Sequence, residues 1–182
     1  MADEADVTRL PTIVPKPDQR ELRSVLGRFG TGVVVLSTGG DHCHGMTANS
    51  FTSVSLDPPL VLTCVARTAQ MHAAILDARS YGVSVLGAHQ ERLAKYFADR
   101  RRPKGIEQFH ATKWSRGPHT GAPLLVESLA WLECELVDVY AGGDHSVFLG
   151  RVLAAGRNDG GGTLVFYEGA FHRLTPLAAR SA

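Results

Sequence analysis

Short apolar, β-branched runs separated by glycine and proline turns recur along most of this chain, and that rhythm restricts its fold more than any other feature. Val33 to Thr38, Leu60 to Ala66, Tyr81 to Leu86 and the stretches 43–48, 129–140, 145–155 and 163–167 read as strands, because β-branched and aromatic side chains pack well on a pleated surface. The last of these, 163–167, is expected to be the final strand. Gly39-Gly40-Asp41, Ala141-Gly142-Gly143-Asp144 and Gly160-Gly161-Gly162 fall between runs as hairpin tips, where glycine takes backbone conformations that other residues avoid. Many strands joined by tight turns, with few helices, predict a mostly β, antiparallel barrel, closed or partly closed.

Helical spacing is confined to short segments. Asp18 stands where an N-cap belongs and Glu21 follows three places later, the arrangement of a capping box. Leu22, Val25, Leu26 and Phe29 then recur at helical intervals, and Gly30 and Gly32 end the run. Met71, Ile75 and Ala78 suggest a second short helix, and Leu93, Tyr96 and Phe97 a third across 90–98. Residues 99–123 combine Arg100, Arg101, Arg102, Lys104 and Lys113 with three prolines, and read as a long exposed loop of the kind that often carries function. The chain divides into a flexible arm at 1–17, one domain at 18–176 and a tail at 177–182.

Charge and composition narrow the function classes. The formal net charge of the 182 residues is +1, too little to draw the chain toward nucleic acid or a membrane surface. Val33-Val34-Val35-Leu36 is among the longest apolar runs, far short of a membrane span. The N-terminus carries acids where a signal peptide carries bases. Cys43, Cys64 and Cys134 are few and odd in number, which fits a reducing, cytoplasmic setting. Asp41-His42-Cys43-His44 invites a metal reading, yet on a strand the two histidines share one face and Cys43 points away. No second His/Cys pair at zinc-finger spacing completes a ligand set, so no metal is expected.

The stretch from Gly45 to Leu60 is unusual. Thr47, Asn49, Ser50, Thr52, Ser53 and Ser55 crowd small polar side chains into a region otherwise built for a core. Such donors and acceptors suit a planar heterocycle with a phosphate; a polar edge strand facing water is the alternative. Ala66-Arg67-Thr68 lies between a strand and a helix start, where free backbone amides, a hydroxyl and a guanidinium together form an anion site.

Several ordered landmarks resemble one family. Arg23-Ser24-Val25-Leu26-Gly27-Arg28-Phe29 precedes Thr31-Gly32-Val33, and Ser55-Leu56-Asp57-Pro58-Pro59-Leu60 follows. Gly143-Asp144-His145 with Gly150, and Leu164 to Phe171, complete the pattern. Together they are similar to the flavin reductase family, an FMN-binding antiparallel split β-barrel of Greek-key type with a few peripheral α-helices. The resemblance runs from about Glu21 to Leu174.

It implies NADH-dependent reduction of free FAD or FMN by a homodimer that supplies diffusible reduced flavin to a partner monooxygenase. By the same resemblance, Thr47, Ala48, Asn49 and Ser50 meet the flavin ring, and Ser53 and Ser55 lie along its ribityl–phosphate side. Ala66, Arg67 and Thr68 take the phosphate and Phe97 contacts the flavin. His145 seats the nicotinamide, its ring oriented by Asp144; a solvated turn histidine is the alternative. Tyr167 and Phe171 either wall that cleft or serve as core aromatics. No catalytic nucleophile is expected, because hydride transfer is chemistry of the cofactors. FAD over FMN rests on the basic run, and NADH over NADPH on the family alone. Two rivals are a barrel oxidase or F420-dependent reductase with permanently bound flavin, and a non-catalytic flavin- or haem-binding module.

Overall fold

The β-branched runs fold as strands, and helices form in the three expected segments, although the first ends at Leu26 with Gly27 as its C-cap and leaves Phe29 outside. From the amino end the order is α1 (Gln19–Leu26), β1 (Thr31–Gly32), β2 (Val34–Thr38), β3 (His44–Ala48), β4 (Phe51–Leu56), β5 (Pro59–Ala66), α2 (Gln70–Ala78) and β6 (Ser80–Val85). Then follow α3 (Glu91–Ala98), β7 (Trp114–Arg116), β8 (Pro123–Leu125), β9 (Ala130–Gly142), β10 (His145–Arg157), β11 (Thr163–Tyr167) and β12 (Ala170–Leu174). The computed structural model describes residues 16–159 and 161–175. Most of the expected arm at 1–17, the tail at 177–182 and Gly160 of the third tip lie outside the described residues.

Seven strands form one antiparallel sheet in the order β3-β2-β6-β9-β10-β5-β4. Its two edges, β3 and β4, are consecutive in the chain, joined only by Asn49 and Ser50. Met46, Ala48 and Phe51 from those edges pack against the cluster that holds Val34, Leu36, Val61, Val65, Tyr81, Cys134 and Phe148. The sheet therefore curls around a single core until its edges face each other, and α2 contributes Met71 and Ile75 to the same core.

Every residue of β2 is buried. Val34 and Leu36 face the barrel interior, while Val33 and Val35 face a second cluster with Leu86, Ala94, Phe97, Phe109, Leu125 and Leu164. A strand covered on both faces requires an unbroken apolar run, which explains Val33-Val34-Val35-Leu36. On β3, Gly45 sits directly under that outer layer. A Cβ there would come within 2.7 Å of the Phe97 ring and 2.8 Å of the Phe109 ring, so only glycine lets the two aromatics lie on the strand.

Three expectations need correction. Residues 99–123 are not one exposed loop. A 3₁₀ turn at Gly105–Ala111 buries Gln108 and Phe109, and β7 pairs with β8. Gln108 anchors the segment by accepting from the Gly45 amide at 2.8 Å and donating to the Gly105 carbonyl at 2.6 Å. Next, 163–167 is not the last strand: after Glu168-Gly169, β12 pairs with β11, and β11 also pairs with β1 in a separate three-stranded sheet. Finally, His42 lies in a 3₁₀ turn at Gly40–His42 rather than on a strand. It stands 3.4 Å from Asp77 while His44 contacts Arg102, so the two histidines serve different partners. Helix α1 has the expected capping box, with Asp18 accepting from the Glu21 amide and Glu21 from the Asp18 amide.

Candidate active site

The β3–β4 corner is where the polar stretch meets the core. Its hydroxyls are largely engaged. Thr47 Oγ1 donates to the Ala94 carbonyl at 2.7 Å, tying β3 to α3. Ser50 Oγ donates to the Cys64 carbonyl at 2.7 Å and accepts from the Cys64 amide at 3.2 Å, tying the corner to β5. Ser50 is thus a structural clasp, and Asn49 stays exposed at the tip.

Two hollows flank this corner and share Thr47 and Ala98. The larger, about 410 Å³, has Met46 and His44 of β3 on one side and Phe97 and Ala98 of α3 on another. Thr68, Ala69 and Gln70 bring the start of α2 to it, and Arg100 and Arg102 close it. The smaller, about 180 Å³, is walled by Val33, Ala48, Asn49, Phe166 and Phe171. One hollow is basic and the other aromatic. That division fits a flat ring continued by an anionic tail.

The basic side has defined electrostatics. Ala69 is the N-cap of α2 without a side-chain cap, so amides at that helix start remain available to an anion. Arg102 Nη1 donates to the Asp99 carbonyl at 2.6 Å and Nε to Gln108 Oε1 at 3.3 Å, and Nη2 donates to the Gly45 carbonyl. The same guanidinium lies 5.9 Å from the Phe97 ring centre and 3.2 Å from His44 Nε2. Burial, and then the Arg102 charge, push His44 down to about 4, so at neutral pH its ring is uncharged and able to accept from Arg102.

A second polar group gathers at the far end of β5. The positive φ of Gly143, 73°, makes the β9–β10 turn, which sets Asp144 and His145 beside Ala66 and Arg67. His145 pairs with Ala66 across the ladder, and the Arg67 amide donates to the Asp144 carbonyl at 3.0 Å. Asp144 Oδ1 lies 2.8 Å from His145 Nδ1, and that contact holds the carboxyl below its usual range. Thiols offer no nucleophile: burial pushes Cys43 and Cys64 up, and Cys134 up to about 12.

Of the residues the sequence singles out, Thr47, Ala48, Asn49, Thr68, Phe97 and Phe171 line the two hollows. Ser53 and Ser55 sit farther along β4, opposite Val61 and Leu60 and on either side of a register shift. Ala66, Arg67 and His145 form the separate group at the β5 end, outside both hollow walls of the same chain. Tyr167 lies off the walls because strand alternation turns it away: Phe166, not Tyr167, is the cross-strand partner of Phe171, with ring centres 5.4 Å apart. Tyr167 instead meets His172. His44, Met46, Gln70 and Phe166 are wall residues that sequence reasoning missed. For Phe166 the signal lies in the hairpin: with Glu168-Gly169 as a two-residue turn, cross-strand register sets Phe166 against Phe171.

Comparison with known proteins gives the family and the fold. The family model described as "Flavin reductase like domain" matches residues 26–175. An NADH-dependent FAD reductase of Streptomyces globisporus is 47% identical over 166 residues, covering 91% of each chain. The crystal structure of BorF, the flavin reductase component of a bacterial two-component tryptophan halogenase, superposes with a TM-score of 0.85 at 51% identity, over 88% of this chain and all of that one. HsaB, the reductase subunit of a flavin-dependent monooxygenase of Rhodococcus jostii, is 37% identical over 160 residues, covering 87% of this chain and 80% of its own.

Proposed function

The chain belongs to the flavin reductase-like domain family, and from that premise we propose that it uses NADH to reduce free FAD or FMN and releases the product to a separate flavin-dependent monooxygenase. It is an oxidoreductase on a split barrel. The observation that carries the reading is the pair of hollows joined at Thr47 and Ala98, one basic and one aromatic.

Bound flavin supplies a ring that accepts a hydride from the nicotinamide, so the protein's task is to hold two flat molecules in register. Asn49 and the backbone at Ala48 orient the ring edge, and donors there favour the charge that grows on reduction. Phe166 and Phe171 exclude water from its face. Thr68, the open start of α2 and Arg102 neutralise the phosphate, with Arg67 beside them. Ser53 and Ser55 are assigned to the ribityl–phosphate side, and His145, oriented by Asp144, to the nicotinamide with Tyr167.

The active form is proposed to be a homodimer in the cytoplasm. What supports it is the apolar stripe on α1 and the turn after it: Leu22, Val25 and Leu26 on the helix and Phe29 beyond it are all exposed in the single chain, Phe29 by 77%, and such stripes normally face a partner. A second copy also offers a route for His145 to reach a hollow that its own chain does not bring to it. Among the described residues no helix is long and apolar enough to cross a membrane. The working unit is proposed to span 18–176.

The test is NADH consumption, followed by its near-ultraviolet absorbance, with and without added flavin. Oxidation that depends on free flavin supports the reading. Oxidation by flavin retained through dialysis points to a permanently bound cofactor, and no oxidation with either flavin overturns it.

A further inference from the structure

Three consecutive arginines follow α3, and the structure gives them three different fates. Arg101 is neutralised by Asp99, whose carboxylate accepts from its Nε at 3.1 Å and its Nη2 at 2.9 Å. Arg102 is half-buried and held by the Asp99 and Gly45 carbonyls, Gln108 and His44. None of those partners is a carboxylate; the Asp99 carboxylate acts on it only through space and is itself bonded to Arg101, so the Arg102 charge is fixed in place and only partly offset. Arg100 is exposed on the wall of the larger hollow, and among the described residues no ion pair or hydrogen bond engages its side chain.

The start of α2, with Thr68 and Gln70, lines the same hollow, and neither Asp nor Glu lines it among the described residues. One fixed cation, one unengaged cation and an open helix start thus face a common space. A single phosphate needs only the helix start and the fixed charge. A further exposed guanidinium on the wall of the same hollow suits a second phosphate, which its planar fork can grip at two oxygens.

Resting on the flavin reading above, we propose that Arg100 selects the dinucleotide flavin, FAD over FMN, by contacting the phosphate that FAD has and FMN lacks. The phosphate common to both ligands stays with Thr68, the α2 start and Arg102. The longer ligand leaves the hollow at the exposed rim, where Arg100 stands. Arg101 contributes nothing to the choice, because Asp99 already holds it.

Equilibrium dialysis of the full chain against FAD and against FMN, without NADH, tests this by binding alone. Arg100→Ala raises the dissociation constant for FAD by roughly tenfold, the size of one charge-assisted contact, and leaves that for FMN within about twofold. Arg101→Ala moves neither. Equal weakening of both flavins overturns the proposal, because Arg100 then serves the shared phosphate or a general field; so does an unchanged FAD constant. A raised KM for NADH with FAD binding intact assigns the residue to the nicotinamide dinucleotide and also overturns it. Wild-type protein that binds neither flavin fails the underlying function instead, before any variant is compared.

Discussion

Two histidines sit in opposite surroundings, and the contrast separates what holds the site from what serves it. His44 is half-buried on β3 beside Arg102, its charge suppressed by burial and by the neighbouring guanidinium. His145 opens β10, just after the turn, beside a carboxylate that is 93% exposed. A buried polar node is costly to break because each member leaves another unpaired. An exposed pair contributes little to stability, so a residue kept there is free to meet a ligand. On this comparison the Arg102 node holds the site together as well as lending it a charge, and the Asp144–His145 pair is working surface alone.

The largest expected effect is on the scaffold. Arg102→Ala removes the side-chain donor to the Gly45 and Asp99 carbonyls and to His44, and costs about 2 kcal/mol, several degrees in Tm by thermal melting. A melting temperature equal to wild type makes the node dispensable and breaks the contrast. His145→Ala works the other way: Tm stays put while the apparent KM for NADH rises about fivefold to tenfold, the loss of one polar contact to substrate. Unchanged steady-state kinetics remove His145 from the site.

Acid unfolding sharpens the distinction at smaller scale. Folding lowers the His44 value from 6.5 to about 4, so between those values the unfolded chain holds the extra proton and stability falls as pH drops. His44→Gln, which keeps an acceptor for Arg102, removes that portion of the acid loss. Solvent screening at this half-exposed ring keeps the difference below about 1 kcal/mol, readable as a shallower slope in urea midpoints against pH. The smallest effect belongs to Asp144→Asn, which loosens the His145 ring and raises the KM for NADH about twofold. A change as large as that of His145→Ala gives Asp144 a direct role.

Much of the barrel was legible from residues because local signals agreed with the fold. The capping box at Asp18 and Glu21, the doubly apolar run before Thr38 and the glycines at 142–143 each name their structure. β12 was not legible, since Ala-Phe-His-Arg-Leu alternates poorly and four of its five residues are exposed; pairing with β11 makes it a strand. The 99–123 segment hides its order because its anchors, Gln108 and Phe109, are sparse, and the glycine that receives them lies more than sixty residues earlier. At the site, composition points to the 47–50 corner but not to which hydroxyls the backbone occupies. Ser50 illustrates this: its partner Cys64 is set by the β4–β5 ladder, which spacing alone does not reveal. Arg100, Arg101 and Arg102 are alike in sequence and become distinct only when Asp99, Gly45 and Gln108 are placed around them.

The seam between β3 and β4 has a mechanical consequence. Because those strands end the sheet, the corner next to the hollows is secured by the Ser50 clasp and by side-chain packing, not by a row of ladder bonds. Parting it locally breaks few interactions. A vessel that opens at a seam exchanges its contents more readily than one closed all round, and a carrier of electrons that hands its load to another protein needs a grip that yields.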